Sequence, residues 1–186
     1  MLMTDKMIMN VKTNPKRTVD SELENAFLAG IEANKQKLLR ICAAYVNDQE
    51  EKKDLFQEVL VNIWKSMSSF KGKSSLSTWM YRVTLNVCIN MQTKLTKKKQ
   101  QFVNMDSIQL AQYGKETSNE AEHPQLIHLR RCIRKMNEAD KAIITLYLEE
   151  LPYREIAAIT GLTENHVAVK IKRIKTKLLT CINKQS

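Results

Sequence analysis

Residues 153–179 read YREIAAITGLTENHVAVKIKRIKTKLL, and this stretch decides the fold of the C-terminal part of the chain. A first short helix is expected to stop at Gly161, because glycine accepts the left-handed backbone that ends many helices. Thr163 is a favourable cap for the helix that follows. The small Ala157 allows the two helices to approach, and Val167 is spaced to pack back onto the first. The stretch therefore predicts a helix-turn-helix.

The second helix of this motif carries two neighbouring stripes at helical spacing. The apolar stripe consists of Val167, Ile171, Ile174 and Leu178. The cationic stripe, offset by one residue, consists of His166, Lys170, Arg173 and Lys177. A cationic stripe beside a core stripe is the geometry of a helix that lies in the major groove of DNA. The alternative is an ordinary amphipathic helix with a solvated basic face.

The composition of the whole chain is that of a folded helical protein. Its 186 residues are enough for one medium domain or two small ones. With 43% apolar and 27% charged residues, the chain does not resemble a disordered protein. Four Gly and three Pro are too few for a turn-rich sandwich or a Gly-rich nucleotide-binding scaffold. We expect an all-α protein.

The net charge of +10 is concentrated in two blocks. No acidic residue occurs between Glu58 and Asp106, whereas eight basic residues lie there: Lys65, Lys71, Lys73, Arg82, Lys94, Lys97, Lys98 and Lys99. Six more follow Glu164: Lys170, Lys172, Arg173, Lys175, Lys177 and Lys184. Two basic blocks predict two contacts with a polyanion, either nucleic acid or an anionic membrane.

The sequence argues against membrane insertion and export. It contains no apolar run long enough to span a bilayer. Asp5 and Lys6 interrupt the N-terminal stretch where a signal peptide needs an unbroken apolar segment. We therefore expect a cytoplasmic protein.

The four cysteines lie far apart, at Cys42, Cys88, Cys132 and Cys181. Each falls inside an apolar helical pattern, so we expect buried thiols and neither a disulfide nor a Cys-x-x-Cys site. His128 lies four residues before Cys132 and can share a helix face with it. Two ligands do not make a zinc site, and we expect no metal.

The N-terminal part begins with a polar, Met-rich segment, residues 1–20, which we expect to be a mobile tail. Ser21 and Glu24 have the spacing of a capping box and open a first predicted helix, which continues to about Asn47 and Asp48.

A second helix is predicted from about Glu50 to Met67. Its core face consists of Phe56, Val59, Leu60, Ile63 and Met67. Asp54, Gln57, Val61 and Trp64 form a second stripe well away from that face. This stripe is either a solvated surface with Trp64 folded over the edge of the core or a docking surface, since exposed aromatics are typical of interface centres.

A third helix is predicted from about Leu76 to Thr96, after a loop that contains Gly72. It combines aromatics with amides and cations: Trp79, Tyr81, Arg82, Asn86, Asn90 and Lys94. Rings that stack on unpaired bases and cations that follow phosphates are what single-stranded nucleic acid binding needs. The alternative is that the apolar members of the helix, Trp79, Val83, Val87 and Met91, are simply core.

Residues 98–122 lose helical periodicity and are predicted to be a linker. We therefore expect two small domains, 21–97 and 123–186. The second opens with a helix at Pro124, and Asn137 is expected to cap the next helix.

Both parts together resemble a known family. The run DLFQEVLVNIWKSMSSFKGKSSLSTWMYRVTLN (54–86), followed after the linker by REIAAITGLTENHVAVKIKRIKTKL (154–178), resembles the small two-domain sigma-70 family factors of the extracytoplasmic-function (ECF) group. The resemblance covers roughly residues 21–182. It implies an all-α fold with sigma region 2 in 21–97 and sigma region 4 in 123–186. It further implies a bacterial transcription initiation factor, not an enzyme, that uses no cofactor.

The resemblance implies three partners: core RNA polymerase, promoter DNA and an anti-sigma factor. Docking on the clamp helices of the largest polymerase subunit would use Asp54, Gln57, Glu58, Val61 and Trp64. Recognition and melting of the -10 element, with one non-template base held in a pocket, would use Phe70, Lys71, Lys73, Ser75, Thr78, Trp79, Tyr81, Arg82, Asn86 and Asn90. Region 4 would contact the flap of the second-largest subunit and read the -35 duplex with Thr163, Asn165, His166, Val169, Lys170, Lys172, Arg173 and Lys177.

Two positions depart from the family pattern. Ala168 stands where members often carry Arg or Lys, so we expect the -35 contacts to rest more on His166, Lys170, Lys172 and Arg173. Asn90 stands where many members have Asp. Both departures bear on which promoter sequence is preferred.

Two rival functions remain open from the sequence. A helix-turn-helix regulator that acts without polymerase would explain residues 123–186 but gives no role to the stripe around Trp64. A helical adaptor whose basic blocks serve solubility is the second rival.

Overall fold

The structure of the chain is a computed structural model that describes residues 15–103 and 124–184. Within these ranges the chain forms seven α-helices, one short 3-10 turn at Met67–Ser69 and no β-strand. The helices are α1 (Pro15–Ala43), α2 (Gln49–Ser66), α3 (Leu76–Val103), α4 (Pro124–Arg134), α5 (Glu138–Leu148), α6 (Tyr153–Thr160) and α7 (Glu164–Asn183). The prediction of an all-α protein is confirmed.

Helices α1, α2 and α3 pack against one another and form the N-terminal bundle. Their facing sides are fully buried at Ile41 of α1, Ile63 of α2 and Met80 of α3. The Asp48 carboxylate caps α2, because its Oδ1 accepts a hydrogen bond from the Glu50 N–H at 2.7 Å. Helix α2 therefore begins and ends close to the predicted positions, although its buried face also includes Leu55, which the predicted core face omitted.

Three helix boundaries differ from the sequence prediction, and one of them is the end of α1 at Ala43, four residues before Asn47. Helix α1 begins at Pro15, a residue well suited to the first helical position, and the helix includes residues 15–20 of the segment predicted to be a tail. Helix α3 continues past Thr96 to Val103, so it enters the segment predicted to be a linker. The remaining parts of the predicted tail and linker, residues 1–14 and 104–122, lie outside the described residues.

Helices α4 to α7 form the C-terminal bundle, in which α4, α5 and α6 all pack on α7. Asn137 caps α5 by accepting a hydrogen bond from the Asp140 N–H at 2.9 Å. Gly161 ends α6 with φ 73°, and the Thr163 side chain caps α7. All four residues of the apolar stripe are buried: Val167, Ile171, Ile174 and Leu178. The predicted helix-turn-helix is therefore present.

The two bundles contact each other. The Glu149 carboxylate at the end of α5 is buried and accepts hydrogen bonds from Nε and Nη2 of Arg40 in α1, at 2.7 to 2.9 Å. Lys37 of α1 donates to the Glu149 backbone carbonyl at 3.0 Å. Helix α3 also packs on α6. The N-terminal bundle thus covers one side of the helix-turn-helix.

The cysteine prediction is wrong for one pair, because Cys132 of α4 and Cys181 of α7 form a disulfide with a Cα–Cα distance of 6.0 Å. They are separated by 49 residues, and only the packing of α4 on α7 brings them together. Cys132 is therefore not available to act with His128 as a metal ligand. Cys42 and Cys88 are free and buried, and a hydrogen bond between their side chains, together with burial, raises the pKa of Cys88.

None of the helices within 15–103 and 124–184 combines the length and the apolar content that crossing a bilayer requires.

Candidate functional site

The outward side of α2 presents one continuous exposed stripe, which we call the α2 surface: Asp54, Gln57, Glu58, Val61 and Trp64. Val61 is 47% exposed and Trp64 is 46% exposed, whereas Val59 and Ile63 on the other side of the helix are fully buried. A helix that buries one apolar face and still exposes a Val and a Trp on another offers a place for a partner protein.

Trp64 is held in position by α1. The Phe27 ring meets the Trp64 ring edge-on, with a centroid distance of 5.2 Å. Such pairs add about 0.5–1.5 kcal/mol beyond the burial of their area. Trp64 therefore both packs on the edge of the core and remains about half exposed, so the two interpretations of the sequence each describe part of its surroundings. The sequence gives no sign of this contact, because Phe27 and Trp64 lie on different helices.

The loop before α3 and the first turns of α3 form a second surface, the loop–α3 surface. Phe70 in the loop and Trp79 in α3 are half-buried, and their ring centroids lie 5.4 Å apart. Lys71 and Lys73 are exposed beside them, and Gly72 between them has φ 66°. Two rings next to two exposed cations provide stacking and phosphate contacts in one place.

Two members of the predicted strand-opening set, Thr78 and Arg82, bond to residues of the C-terminal bundle, although Arg82 remains exposed. The Thr78 hydroxyl is buried and donates to Glu155 Oε2 of α6 at 3.0 Å. The Arg82 guanidinium donates to the backbone carbonyl of Ala158, also in α6. Ser75 caps α3 by accepting a hydrogen bond from the Thr78 N–H at 3.1 Å. In this arrangement α6 covers part of α3.

Tyr81 does not meet the expectation that it stacks on a base. Its side chain is buried, and its hydroxyl donates to Asn34 Oδ1 at 2.6 Å. Asn34 is itself buried and donates to the Gly30 carbonyl at 2.7 Å. Burial raises the pKa of Tyr81, which keeps the hydroxyl protonated as a donor. Asn86 and Asn90, farther along the same helix, are exposed as expected.

Helix α7 presents an exposed face that includes Asn165, His166, Val169, Lys172 and Arg173. Thr163 is exposed just before the helix. Within the described ranges, the side chains of Lys172 and Arg173 have no ion-pair or hydrogen-bond partner. These groups are positioned to meet bases or phosphates.

Lys170 and Lys177, the other two lysines expected in the contact set, instead turn toward α5. The buried Asp140 carboxylate accepts hydrogen bonds from Lys170 at 3.2 Å and from Lys177 at 2.8 Å. Burial opposes ionisation of Asp140, but the two lysines outweigh it, so the pKa of Asp140 lies below its ordinary value. Asp140 is 30 and 37 residues from its partners, so no local spacing rule could have identified it.

Family models match both bundles. A model described as Sigma-70 region 2 matches residues 31–98, and one described as Sigma-70, region 4 matches residues 127–178.

Two sigma factors of Bacillus subtilis are among the similar curated proteins. The RNA polymerase sigma factor SigV is 26% identical over 75% of this chain and 81% of its own length. The ECF RNA polymerase sigma factor SigW is 24% identical over 90% of this chain and 94% of its own length.

A solved structure shares the fold. The sigma factor RpoE of Bartonella quintana, determined in complex with the anti-sigma factor NepR, matches with a TM-score of 0.63 at 18% identity, over 87% of this chain and 97% of the other. At this identity the likeness concerns the arrangement of helices alone.

Proposed function

The chain belongs to the sigma-70 family and to its extracytoplasmic-function group, and from this premise we propose which of its surfaces bind RNA polymerase and which bind promoter DNA during promoter-specific initiation. The factor is not an enzyme: its contribution is binding, and three surfaces share it. Region 2 corresponds to the N-terminal bundle and region 4 to the C-terminal bundle.

The α2 surface binds the clamp helices of the largest polymerase subunit. The observation that carries this assignment is the exposed Trp64, supported from behind by Phe27 and flanked by Val61 and the carboxylates of Asp54 and Glu58. A rigid aromatic surrounded by charged groups has the composition of an interface hot spot.

The loop–α3 surface binds the -10 element as a single strand. Phe70 and Trp79 supply ring faces, Lys71 and Lys73 supply phosphate contacts, and Asn86 and Asn90 supply amides to base edges. Moving a base out of the duplex stack costs a few kcal/mol, and stacking at about 1–3 kcal/mol per base can offset that cost.

Helix α7 lies in the major groove of the -35 element. Its exposed face supports this role, since Asn165 and His166 carry hydrogen-bonding groups near the N-terminus of the helix. Lys172 and Arg173 supply cations one turn or more farther along. Recognition helices contact base edges with their N-terminal residues, while cations fix the register on the phosphates.

The factor acts in the cytoplasm and is controlled by an anti-sigma factor, as RpoE is solved with NepR. The contacts of Thr78 and Arg82 with α6 support a closed free state, in which part of the loop–α3 surface is covered. The two bundles therefore move apart, at least locally, when α3 engages DNA.

The test is reconstitution with core RNA polymerase. We expect the purified chain to co-elute with core enzyme in gel filtration and to direct transcription from discrete start points on a library of genomic fragments. Trp64→Ala should lose both activities together. A protein that binds duplex DNA yet neither co-elutes nor directs initiation would instead be a helix-turn-helix regulator that acts without polymerase.

A further inference from the structure

The four α7 cations of the expected -35 contact set, Lys170, Lys172, Arg173 and Lys177, fall into two groups according to their partners. Lys172 and Arg173 have exposed side chains and no side-chain partner in the part of the chain that the structure describes. Lys170 and Lys177 both bond the buried Asp140 carboxylate, although the Lys177 side chain remains 61% exposed. One acidic residue on α5 thus engages two of the cations of the recognition helix.

The position of Asp140 is fixed by its own helix. Its backbone N–H donates to Asn137 Oδ1 at 2.9 Å, and Asn137 Nδ2 donates to Asp140 Oδ2 at 3.2 Å. The carboxylate therefore lies in the first turn of α5, where the helix dipole favours negative charge. Lys170 and Lys177 lie seven residues apart, two turns along one edge of α7, and both reach this single group.

This arrangement affects how the helix binds DNA. Each lysine that neutralises a phosphate adds affinity for any sequence, whereas base-edge contacts discriminate between sequences. A lysine that is already paired with a buried carboxylate gains less from a phosphate, because the existing ion pair must first be broken or shared. Fewer available lysines therefore mean weaker binding to random DNA and a larger relative contribution from base contacts.

We propose that Asp140 is a specificity-determining residue, which withholds Lys170 and Lys177 from the DNA backbone and so suppresses sequence-independent binding by α7. The inference rests on the proposed function of α7 in reading a duplex. Asp140 itself does not touch DNA: it acts through the two lysines.

The first experiment compares two lysines of the same helix. Binding of the full-length chain to a fluorescent duplex of random sequence, roughly three helical turns long, is followed by anisotropy across a range of salt concentrations. Lys172→Gln should flatten the plot of log Kobs against log salt by about 0.9, one phosphate contact. Lys177→Gln should leave the slope unchanged. Equal flattening by both substitutions would overturn the inference.

The second experiment releases the paired lysines. Asp140→Asn should steepen the slope by about one to two phosphate contacts, and adding Lys170→Gln and Lys177→Gln to it should restore the wild-type slope. Glu138→Gln is the matched control, because it removes the same charge from the same turn of α5 but releases Lys141, which is not on α7. A slope that is unchanged in Asp140→Asn, or equally steep in Glu138→Gln, would contradict the proposal.

Selectivity is measured without knowledge of the promoter. After one round of selection by holoenzyme from a randomised duplex library, the Asp140→Asn protein should enrich its preferred sequences less than the wild-type protein does. Equal or greater enrichment would overturn the assignment of specificity. If Arg173→Ala and Lys172→Gln both leave binding to the random duplex unchanged, the assignment of α7 to DNA fails instead, so the two failures are distinguishable.

Discussion

Arg40 of α1 and Glu149 of α5 form a bidentate ion pair between the two bundles, with donor–acceptor distances of 2.7 to 2.9 Å. Glu149 is buried, whereas Arg40 remains 56% exposed. The hydrogen bonds that Arg40 donates to the Glu149 carboxylate are the main reason that the pKa of Arg40 is raised. This pair, together with the Thr78–Glu155 hydrogen bond, holds the bundles in the closed arrangement that covers part of α3.

Weakening this pair should open the molecule. Glu149→Gln removes the charge of the buried partner. Because Arg40 can be hydrated, the change should weaken the contact between the two bundles by only about 1 kcal/mol. We expect a larger radius of gyration by small-angle X-ray scattering. Glu32→Gln, an equal change of charge at an exposed position of α1, is the control. The same radius in all three proteins would show that the pair does not hold the bundles together.

Trp64→Ala should weaken binding to core polymerase by about tenfold or more, about 1.4 kcal/mol, because an exposed aromatic supported by Phe27 has the properties of a hot spot. Phe27→Ala should produce a smaller loss, since it leaves Trp64 present but unsupported. Leu179→Ala, at a position 63% exposed on α7, serves as control. Titration of labelled protein with core enzyme measures all three, and unchanged affinity for Trp64→Ala would exclude the α2 surface as the docking site.

Tyr81→Phe tests whether Tyr81 is structural. The substitution keeps the ring but leaves the buried Asn34 Oδ1 without its donor, which should lower the free energy of unfolding by about 1–3 kcal/mol. Tyr153→Phe, at a position 38% exposed, should change it by less than about 0.5 kcal/mol. Urea denaturation gives both values. Unchanged stability in Tyr81→Phe would argue against a structural role for the hydroxyl.

Reduction of the Cys132–Cys181 disulfide should destabilise the C-terminal bundle by about 2–4 kcal/mol, since the bond closes a loop of 49 residues. Calorimetry with and without dithiothreitol measures the change in Tm. The double variant Cys132→Ser, Cys181→Ser should unfold at a low Tm that the reductant does not alter. A wild-type Tm that is insensitive to reductant would indicate that the bond is not formed in solution.

Acid should destabilise the C-terminal bundle through Asp140. Because the pKa of this carboxyl is lower in the folded chain than in the unfolded chain, its stabilising contribution is present above about pH 4 and is lost as the pH falls through the folded pKa. Asp140→Asn should therefore show a smaller loss of stability below about pH 4 than the wild type in urea denaturation. Glu138→Gln, which keeps the Asp140 pairs, should behave as the wild type does. Identical acid profiles for Asp140→Asn and wild type would contradict the role of these ion pairs.

Some features of the candidate site follow from the sequence of a single helix, and others depend on residues far away in the chain. The exposure of Trp64 follows from helical periodicity in α2, and the exposed face of α7 follows from its apolar stripe. The burial of Tyr81 does not, because its partner Asn34 is 47 residues away on another helix. The same holds for Lys170 and Lys177, which periodicity places beside the exposed face and Asp140 draws toward α5.

The sequence by itself determined the helices, their caps at Asn137 and Thr163, the turn at Gly161 and the apolar stripes that make two bundles. These features depend on neighbours within a few residues, so the chemistry of one segment is enough to predict them. Only the tertiary structure decided the Cys132–Cys181 bond and the Arg40–Glu149 pair, whose members lie 49 and 109 residues apart. Such contacts depend on which helix faces meet, and many pairings of amphipathic helices satisfy the same periodicity.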